Sequence, residues 1–250
     1  MRSSHDVSRL SSILLSAVAG CASYAGPDEI SQAATTEDEV AGTGDAYFEI
    51  ARDVRKCAAP YCGGWYLSQL NRKVTTCHDG RAAAQCYTPV LDWTFSNLPQ
   101  TEQAKLLAAC DEAAGSSDVY AVVRGQFART NTTTPQPQLG QFVIKGAWIL
   151  EGDSHSAGEF VRLRDNGLRC LVAPCPSLTE DKLNTSKSSD ISAIDYTPAG
   201  LTSEQIVECN EATFTPAGLL VAGVGYTFTE NGTVGAGRMA TAAFYPLGAP

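Results

Sequence analysis

Two stretches of alternating apolar and polar residues each open a longer series of predicted elements. YFEIAR begins at Tyr47 and EFVRLR begins at Glu159, and the alternation predicts a strand with one buried face in each. GGWYLSQLN, which begins at Gly63, predicts a further strand. Both series therefore start with strands.

Helical spacing follows the strands in each series. In QTEQAKLLAACDEAA, Leu107 and Cys110 lie three residues apart and share one face of a predicted helix. Ile206 and Cys209 repeat this spacing in the second series. The letters TSEQ just before them fit a capping box, which predicts where that helix begins.

Two apolar stretches follow each predicted helix and predict a hairpin of long strands. They read VYAVVRGQF and QFVIKGAWIL in the first series, and LLVAGVGYTF and RMATAAFYPL in the second. Asn231 and Gly232 supply the turn of the second hairpin. The first hairpin has the longer loop TNTTTPQPQLG.

The two series match in order and in spacing. Leu70 and Leu183 each lie eight residues past the second cysteine of a CxxxxC motif, and each precedes an asparagine. LDWT matches IDYT, and CDEA matches CNEA. We therefore predict an α+β fold of two tandem homologous β-β-(β)-α-β-β repeats, mostly antiparallel and disulfide-braced. Repeat 1 covers residues 46–153 and repeat 2 covers residues 154–250, and the two are able to form one compact unit.

The first residues have the pattern of an export signal. Arg2 and Arg9 precede a short apolar run that is too short to span a bilayer, which needs about 20 apolar residues. This predicts a signal peptide over residues 1–20, and the small acidic stretch 21–45 predicts a flexible tether. VAGC, which ends at Cys21, resembles the lipobox of bacterial lipoproteins. The resemblance implies that Cys21 carries lipid and anchors the protein to a membrane without spanning it.

Composition narrows the class of partner. Hydrophobic residues make up 44% of the 250 residues and charged residues 18%, which is ordinary for a protein with a buried core. The formal net charge of −9 argues against nucleic acid, whose phosphates need a basic face.

Three segments resemble a known family. RKCAAPYCGGWYLSQLN, TCHDGRAAAQCY and RCLVAPCPSLTEDKLN are similar to an uncharacterised bacterial domain family of unknown function, found in predicted exported lipoproteins. The resemblance covers residues 47–247 and implies export to the cell envelope. Because the family has no assigned ligand or catalytic residue, none is transferred to this chain.

The cysteine count favours disulfides. With Cys21 assigned to lipid, eight of the nine cysteines remain, an even number in an exported chain. Cys77 and Cys86 lie in an insertion of the first repeat, around an Asp-Gly turn, and are expected to pair with each other. The first choice for the other six is Cys57–Cys62, Cys170–Cys175 and Cys110–Cys209. The alternative is Cys62–Cys110, Cys175–Cys209 and Cys57–Cys170.

The two CxxxxC motifs could instead give four thiolates to zinc. No histidine lies nearby at ligand spacing and export favours oxidation, so we expect disulfides, no metal and no cofactor. The loops between the paired cysteines are the candidate binding surfaces. Their residues are Ala58, Ala59, Pro60, Tyr61, Leu171, Val172, Ala173 and Pro174.

No catalytic set is evident in the sequence. His78 and His155 have no second histidine or patterned carboxylate nearby. Asp92 and Asp195 occupy matching places before an aromatic residue and could act as an acid–base pair if they faced each other. Bonds to the local backbone are the preferred interpretation of both aspartates.

These observations favour a non-enzymatic binding or structural module, exported and lipid-anchored in the bacterial envelope. Its ligand would be an envelope protein or a glycan. One alternative is a protease inhibitor that presents the disulfide-closed loops. Another is an envelope hydrolase that uses Asp92 and Asp195, or His155. The oligomeric state and the identity of the membrane stay open.

Overall fold

A computed structural model describes residues 44–128 and 139–248. The predicted signal peptide, Cys21 and all but the end of the predicted tether lie outside the described residues. Strands hold 44% of the described residues and helices 13%.

The strands are β1 Ala46–Arg52, β2 Trp65–Gln69, β3 Thr75–Thr76, β4 Ala82–Ala83, β5 Cys86–Thr88, β6 Leu91–Asp92, β7 Ala121–Ala128, β8 Gln141–Glu151, β9 Glu159–Asp165, β10 Leu178–Lys182, β11 Ser188–Ile191, β12 Ala193–Asp195, β13 Leu219–Glu230 and β14 Thr233–Pro246. The helices are α1 Gln100–Glu112 and α2 Ser203–Ala212, and a 3-10 turn covers Thr197–Ala199.

Twelve of these strands form one sheet. Its main path runs β11-β10-β9-β13-β14-β8-β7-β1-β2-β5, and every pairing along it is antiparallel. β6 pairs in parallel with β8, and β12 pairs in parallel with β14. β5 and β11 lie at the two edges of the main path, and the strands that follow them along the chain, β6 and β12, pair with the central strands β8 and β14. The chain therefore returns from each edge of the sheet to its middle. β3 and β4 form a separate small hairpin.

The predicted α+β class, with two tandem β-β-(β)-α-β-β repeats, is wrong. The described residues form a mostly antiparallel β structure in which strands from both sides of residue 153 share one sheet. β14 pairs with β8, for example at Phe244 and Leu150. The physical reason is that long strands must satisfy their edge N–H and C=O groups, and these two do so with each other. Alternation identifies a strand, but it does not identify the strand's partner.

Strand β13 shows that the sheet is buried on both faces. Leu219 and Val221 pack with α2, whereas Leu220 and Ala222 lie in a separate cluster with Trp148. Successive side chains of a strand point to opposite faces, so burial of both faces explains the unbroken run LLVA. A third cluster packs around α1 and includes Leu106, Cys110, Phe142, Ile144 and Ile50.

Two local predictions are confirmed. The Thr202 side chain accepts a hydrogen bond from the Gln205 N–H, and the Gln205 side chain accepts one from the Thr202 N–H, which completes the capping box of α2. Asn231 and Gly232 form the turn between β13 and β14, with φ of 52° and 76°. Positive φ at both central residues is the conformation that an Asn-Gly hairpin turn favours.

Candidate binding surface at the disulfide loops

Three disulfides form among the described residues. They join Cys57 to Cys62, Cys77 to Cys86 and Cys170 to Cys175, with Cα–Cα distances of 5.7, 5.4 and 5.5 Å. These pairings are the ones preferred from the sequence. Two of them close the segments 57–62 and 170–175, which we call the first and second disulfide loops.

The predicted Cys110–Cys209 disulfide is not formed. The alternative set of pairings is also wrong, because Cys57 bonds to Cys62 and Cys170 bonds to Cys175. Both cysteines are free thiols with no solvent exposure. Cys110 lies on α1 in one hydrophobic cluster and Cys209 lies on α2 in another. Each helix covers its own part of the sheet, so the two sulfurs stay in separate cores. Burial raises the pKa of each thiol to about 12.

An aspartate–arginine pair holds the first disulfide loop. Asp53 is buried and accepts hydrogen bonds from Nε and Nη2 of Arg55, both at 2.9 Å. The same Nη2 donates to the Tyr61 carbonyl at 2.9 Å. The Tyr87 hydroxyl donates to the Pro60 carbonyl at 2.7 Å. These bonds fix the loop backbone from outside the disulfide ring.

The second disulfide loop lies against the β13–β14 hairpin. Asn231 Nδ2 donates to the Ala173 carbonyl at 3.3 Å. A Cβ at Gly235 would lie 2.9 Å from Cβ of Pro174 and 2.7 Å from the ring of Phe228. A larger residue at Gly235 would therefore have to displace the Phe228 ring or Pro174 of the loop.

The two loops differ in the side chains that they present to solvent. In the second loop Leu171 is fully exposed and Val172 is 66% exposed, whereas the largest exposed side chain of the first loop is Tyr61. The other candidates are small or partly covered: Ala58, Ala59 and Ala173 are exposed, and Pro60 and Pro174 are half-buried. The apolar surface is thus concentrated on the second loop.

The sequence patterns did not identify the hairpin residues that lie next to the second disulfide loop. Phe228 lies opposite Gly235 in the hairpin register, and Tyr226 lies opposite Gly237. Glycines inside a strand often mark a site of close approach. The alternate glycines of VGAG, facing two aromatic residues of the previous strand, were the signal that could have identified the contact.

The two aspartates considered for catalysis bond to their local backbone. Asp92 Oδ1 accepts the Thr94 N–H and Asp195 Oδ1 accepts the Thr197 N–H, both at 2.9 Å. The hydrogen bonds from these threonines hold the pKa of each aspartate below its ordinary value. Each carboxylate therefore acts as a turn former that is already ionised at neutral pH.

The histidines lie in different surroundings. His155 Nδ1 lies 2.8 Å from Asp118 Oδ2, and its side chain is 83% exposed. The ring of His78 packs against the backbone at Gly140, where an added Cβ would come within 2.5 Å of it. No group of three or more histidine, cysteine, aspartate or glutamate side chains suited to a metal ion lies in the described residues.

A cavity of about 720 Å³ lies between the helices. Glu102 and Lys105 of α1 face it from one side, and Glu208 and Glu211 of α2 from the other. Neither Asp92, Asp195 nor either histidine lines this cavity. The carboxylates around it therefore do not include the pair considered from the sequence.

The fold and the loops define a mostly antiparallel, disulfide-braced β protein. Residues 46–249 match the family described as a domain of unknown function, DUF6748, and the chain belongs to this family. No curated protein and no solved structure matches the chain. The expected membership of an uncharacterised family is confirmed, and the family description assigns no activity.

Two observations bear on location. Three disulfides are typical of an oxidising, extracellular environment. In the described part of the chain, no helix has the length and apolar character needed to cross a membrane.

Proposed function

We propose that this protein is a non-enzymatic binding module of the bacterial envelope, anchored by lipid on Cys21, which binds a protein partner through the second disulfide loop. The observation that carries the proposal is the full exposure of Leu171 beside the exposed Val172 on a loop closed by a disulfide. Large apolar side chains held in water at one place are typical of interaction sites.

The rigidity of the loop supports a role in binding. The Cys170–Cys175 disulfide closes the ring, and the contacts of Ala173 and Pro174 hold it against the hairpin. A loop that is already ordered loses little conformational entropy when a partner binds, so more of the contact energy appears as affinity.

The chemistry of the loop favours a protein over a glycan. Leu171 and Val172 offer aliphatic surface and no hydrogen-bonding side chain. An aliphatic anchor gains affinity by entering an apolar pocket of the partner, where its surface leaves water. We therefore expect a partner with an apolar cavity large enough for the leucine.

A pair of matched variants tests this proposal. Wild-type protein, L171D/V172D and V207D are immobilised and exposed to detergent-solubilised envelope extract. Val207 is a suitable control because it is 55% exposed on α2, outside the disulfide loops. Circular dichroism checks that all three proteins fold alike.

The proposal expects a protein that is retained by wild type and by V207D and is lost with L171D/V172D. Charge on the loop would remove the anchor by placing a carboxylate in an apolar pocket. Equal retention of every protein by all three samples would contradict a binding role for this loop.

A protease inhibitor is the second candidate, and the exposed Leu171 on a closed loop favours it. Such a loop could occupy a protease that prefers an apolar residue before the cleaved bond. Inhibition of a panel of secreted proteases is measured with wild type, Leu171→Arg and Leu171→Phe. Inhibition that changes its target with the residue at 171 would support this candidate, and no slowing of any protease would remove it.

The anchor is tested separately. Cys21 lies outside the described residues, and its proposed lipidation rests on the VAGC motif. Cells that express wild type or Cys21→Ala are labelled with a radioactive or clickable fatty acid. Label on wild type and none on the variant supports the anchor, whereas equal labelling would exclude it.

A further inference from the structure

A basic cavity lies where the start of β1 meets the β9–β10 pair. Its volume is about 280 Å³, and Tyr47, Arg162, Arg164 and Lys187 are among the residues that line it. Neither disulfide loop contributes a residue to it. The cavity is therefore a separate site from the proposed protein-binding loop.

Two arginines of the cavity share one carboxylate. Arg162 and Arg164 are two residues apart on β9, so both side chains lie on the same face of the strand. Their Nη2 atoms donate to the same oxygen, Oδ2 of Asp181, at 3.0 and 2.9 Å. Oδ1 of that carboxylate accepts from the Ser188 hydroxyl at 2.9 Å. Asp181 thus accepts three hydrogen bonds from its protein neighbours.

Positive charge dominates the lining. Arg162, Arg164, Lys182 and Lys187 line the cavity with Asp181 as the carboxylate among the lining residues. Lys182 bonds to Glu159 outside the cavity, at 2.5 Å, whereas Lys187 makes no ion pair with a described residue. Such a concentration of cations is unexpected in a chain of net charge −9, because like charges held close together destabilise a fold.

Several hydrogen-bond donors of the cavity have no acceptor among the described residues. The Tyr47 hydroxyl accepts from Arg162 Nη1 at 3.3 Å and donates to no described group. Nη1 of Arg164 and the ammonium of Lys187 likewise make no hydrogen bond to a described residue. The Arg164 side chain is 41% exposed and Lys187 is exposed, so a phenol, a guanidinium and an ammonium face the solvent-open cavity with donors that are available to a ligand.

The backbone holds Tyr47 in this position. Its N–H donates to Asn184 Oδ1 at 2.8 Å, and its carbonyl accepts from Asn184 Nδ2 at 2.8 Å. Its ring packs on Trp148, with a centroid distance of 5.5 Å. The donor from β1 is thus fixed next to the arginines of β9 before any ligand arrives.

We infer that this cavity binds a phosphoryl group. Guanidinium donors match the geometry of phosphate oxygens, and an ammonium adds a point charge. A tetrahedral oxyanion accepts from several directions at once, as donors from three different residues require. All the lining residues except Leu183 carry charged or polar side chains, so the charged group itself is what the cavity recognises. The group could be free phosphate or the headgroup of a phospholipid.

Calorimetric titration with inorganic phosphate, at constant ionic strength held with chloride, tests the inference. The proteins are wild type, R164Q/K187Q, Tyr47→Phe and the control R81Q/K105Q. Arg81 and Lys105 are exposed cations that do not line the cavity, so the control removes the same charge elsewhere. A parallel arm measures binding to phosphatidylcholine vesicles with and without phosphatidic acid.

We expect phosphate to bind wild type and R81Q/K105Q alike, at least about 10-fold more weakly to R164Q/K187Q, and a few-fold more weakly to Tyr47→Phe. Binding to phosphatidic acid vesicles alone, with the same dependence on the variants, also supports the site and identifies a lipid headgroup as the source. Absence of binding in both arms, or equal binding by all four proteins, overturns the inference. Tyr47→Phe removes one hydroxyl, so it keeps the test valid if the double variant does not fold.

Discussion

Asn71 and Asn184 each bond to the backbone beside the other. Asn71 Nδ2 donates to the carbonyls of Phe160 and Leu183, at 2.7 and 3.0 Å, and its Oδ1 accepts the Phe160 N–H at 2.9 Å. Asn184 Nδ2 donates to the carbonyls of Tyr47 and Leu70, both at 2.8 Å. The start of β1 is thus joined to the start of β9 through two side-chain amides.

This reciprocal contact makes both asparagines sensitive to substitution. They have φ of 58° and 60°, a region that alanine adopts at a cost. Asn184→Ala should lower the free energy of unfolding by about 3 kcal/mol, because it removes three hydrogen bonds and leaves backbone groups unpaired. Asn184→Gly keeps the φ and should cost about 1 kcal/mol less.

Urea denaturation measures these changes. Asn97→Gly is the matched control, because Asn97 has φ of 55° and its side chain bonds no distant strand among the described residues. It should change stability by less than about 1 kcal/mol. Equal effects of glycine at positions 97 and 184 would show that the amide bonds contribute nothing.

The free thiols predict a distinct pattern of reactivity. In Cys21→Ser protein without reductant, a thiol reagent should find no reactive cysteine in the native state and two after unfolding, because Cys110 and Cys209 are buried. Detection of no thiol after unfolding would mean that these two cysteines form a disulfide.

Those thiols also predict an alkaline loss of stability. Their native pKa is about 12, against an ordinary 9.0, so between pH 9 and 12 the unfolded thiols ionise while the native ones stay protonated. The free energy of unfolding should therefore fall as the pH rises through this range. C110A/C209A should show a shallower decline, and identical pH profiles of the two proteins would contradict the raised values.

Asp53 predicts a loss of stability in acid. Hydrogen bonds from Arg55 hold the pKa of Asp53 below its ordinary 3.8. Its stabilising contribution is therefore complete above pH 4 and is lost as the pH falls further. Asp53→Asn should flatten the decline in unfolding free energy below pH 4, and Asp153→Asn, which removes an exposed carboxylate, is the control. A decline as steep in Asp53→Asn as in wild type would exclude Asp53 as the cause.

Glu180 and Arg238 form a buried ion pair, and we expect removal of one partner to destabilise the fold more than replacement of both. Arg238 Nε donates to Glu180 Oε2 at 2.7 Å, and its Nη1 donates to the Gly223 carbonyl at 3.1 Å. Glu180→Gln leaves a buried guanidinium without its carboxylate and should cost about 3–5 kcal/mol. E180L/R238M should recover much of this loss. A double variant less stable than Glu180→Gln would show that the pair itself stabilises the fold.

Short-range patterns in the sequence determined much of the local structure. Alternation located β1 and β9, the TSEQ letters located the start of α2, and Asn231-Gly232 located a hairpin turn. The three disulfides were also accessible, because their cysteines are only 5, 9 and 5 residues apart. In each case the interacting groups are close neighbours along the chain, so spacing favours their geometry, although for the cysteines of the two CxxxxC motifs it left an alternative pairing open.

Long-range pairing was decided only by the tertiary structure. The pairing of β8 with β14 merged the chain into one β sheet and overturned the α+β class. Cys110 and Cys209 lie in separate hydrophobic cores and therefore do not form a disulfide. The contact between Asn71 and Asn184 places Tyr47 next to the arginines of β9. Many strand orders satisfy the same alternation, and the chosen order is the one that buries both sheet faces and pairs the long edges.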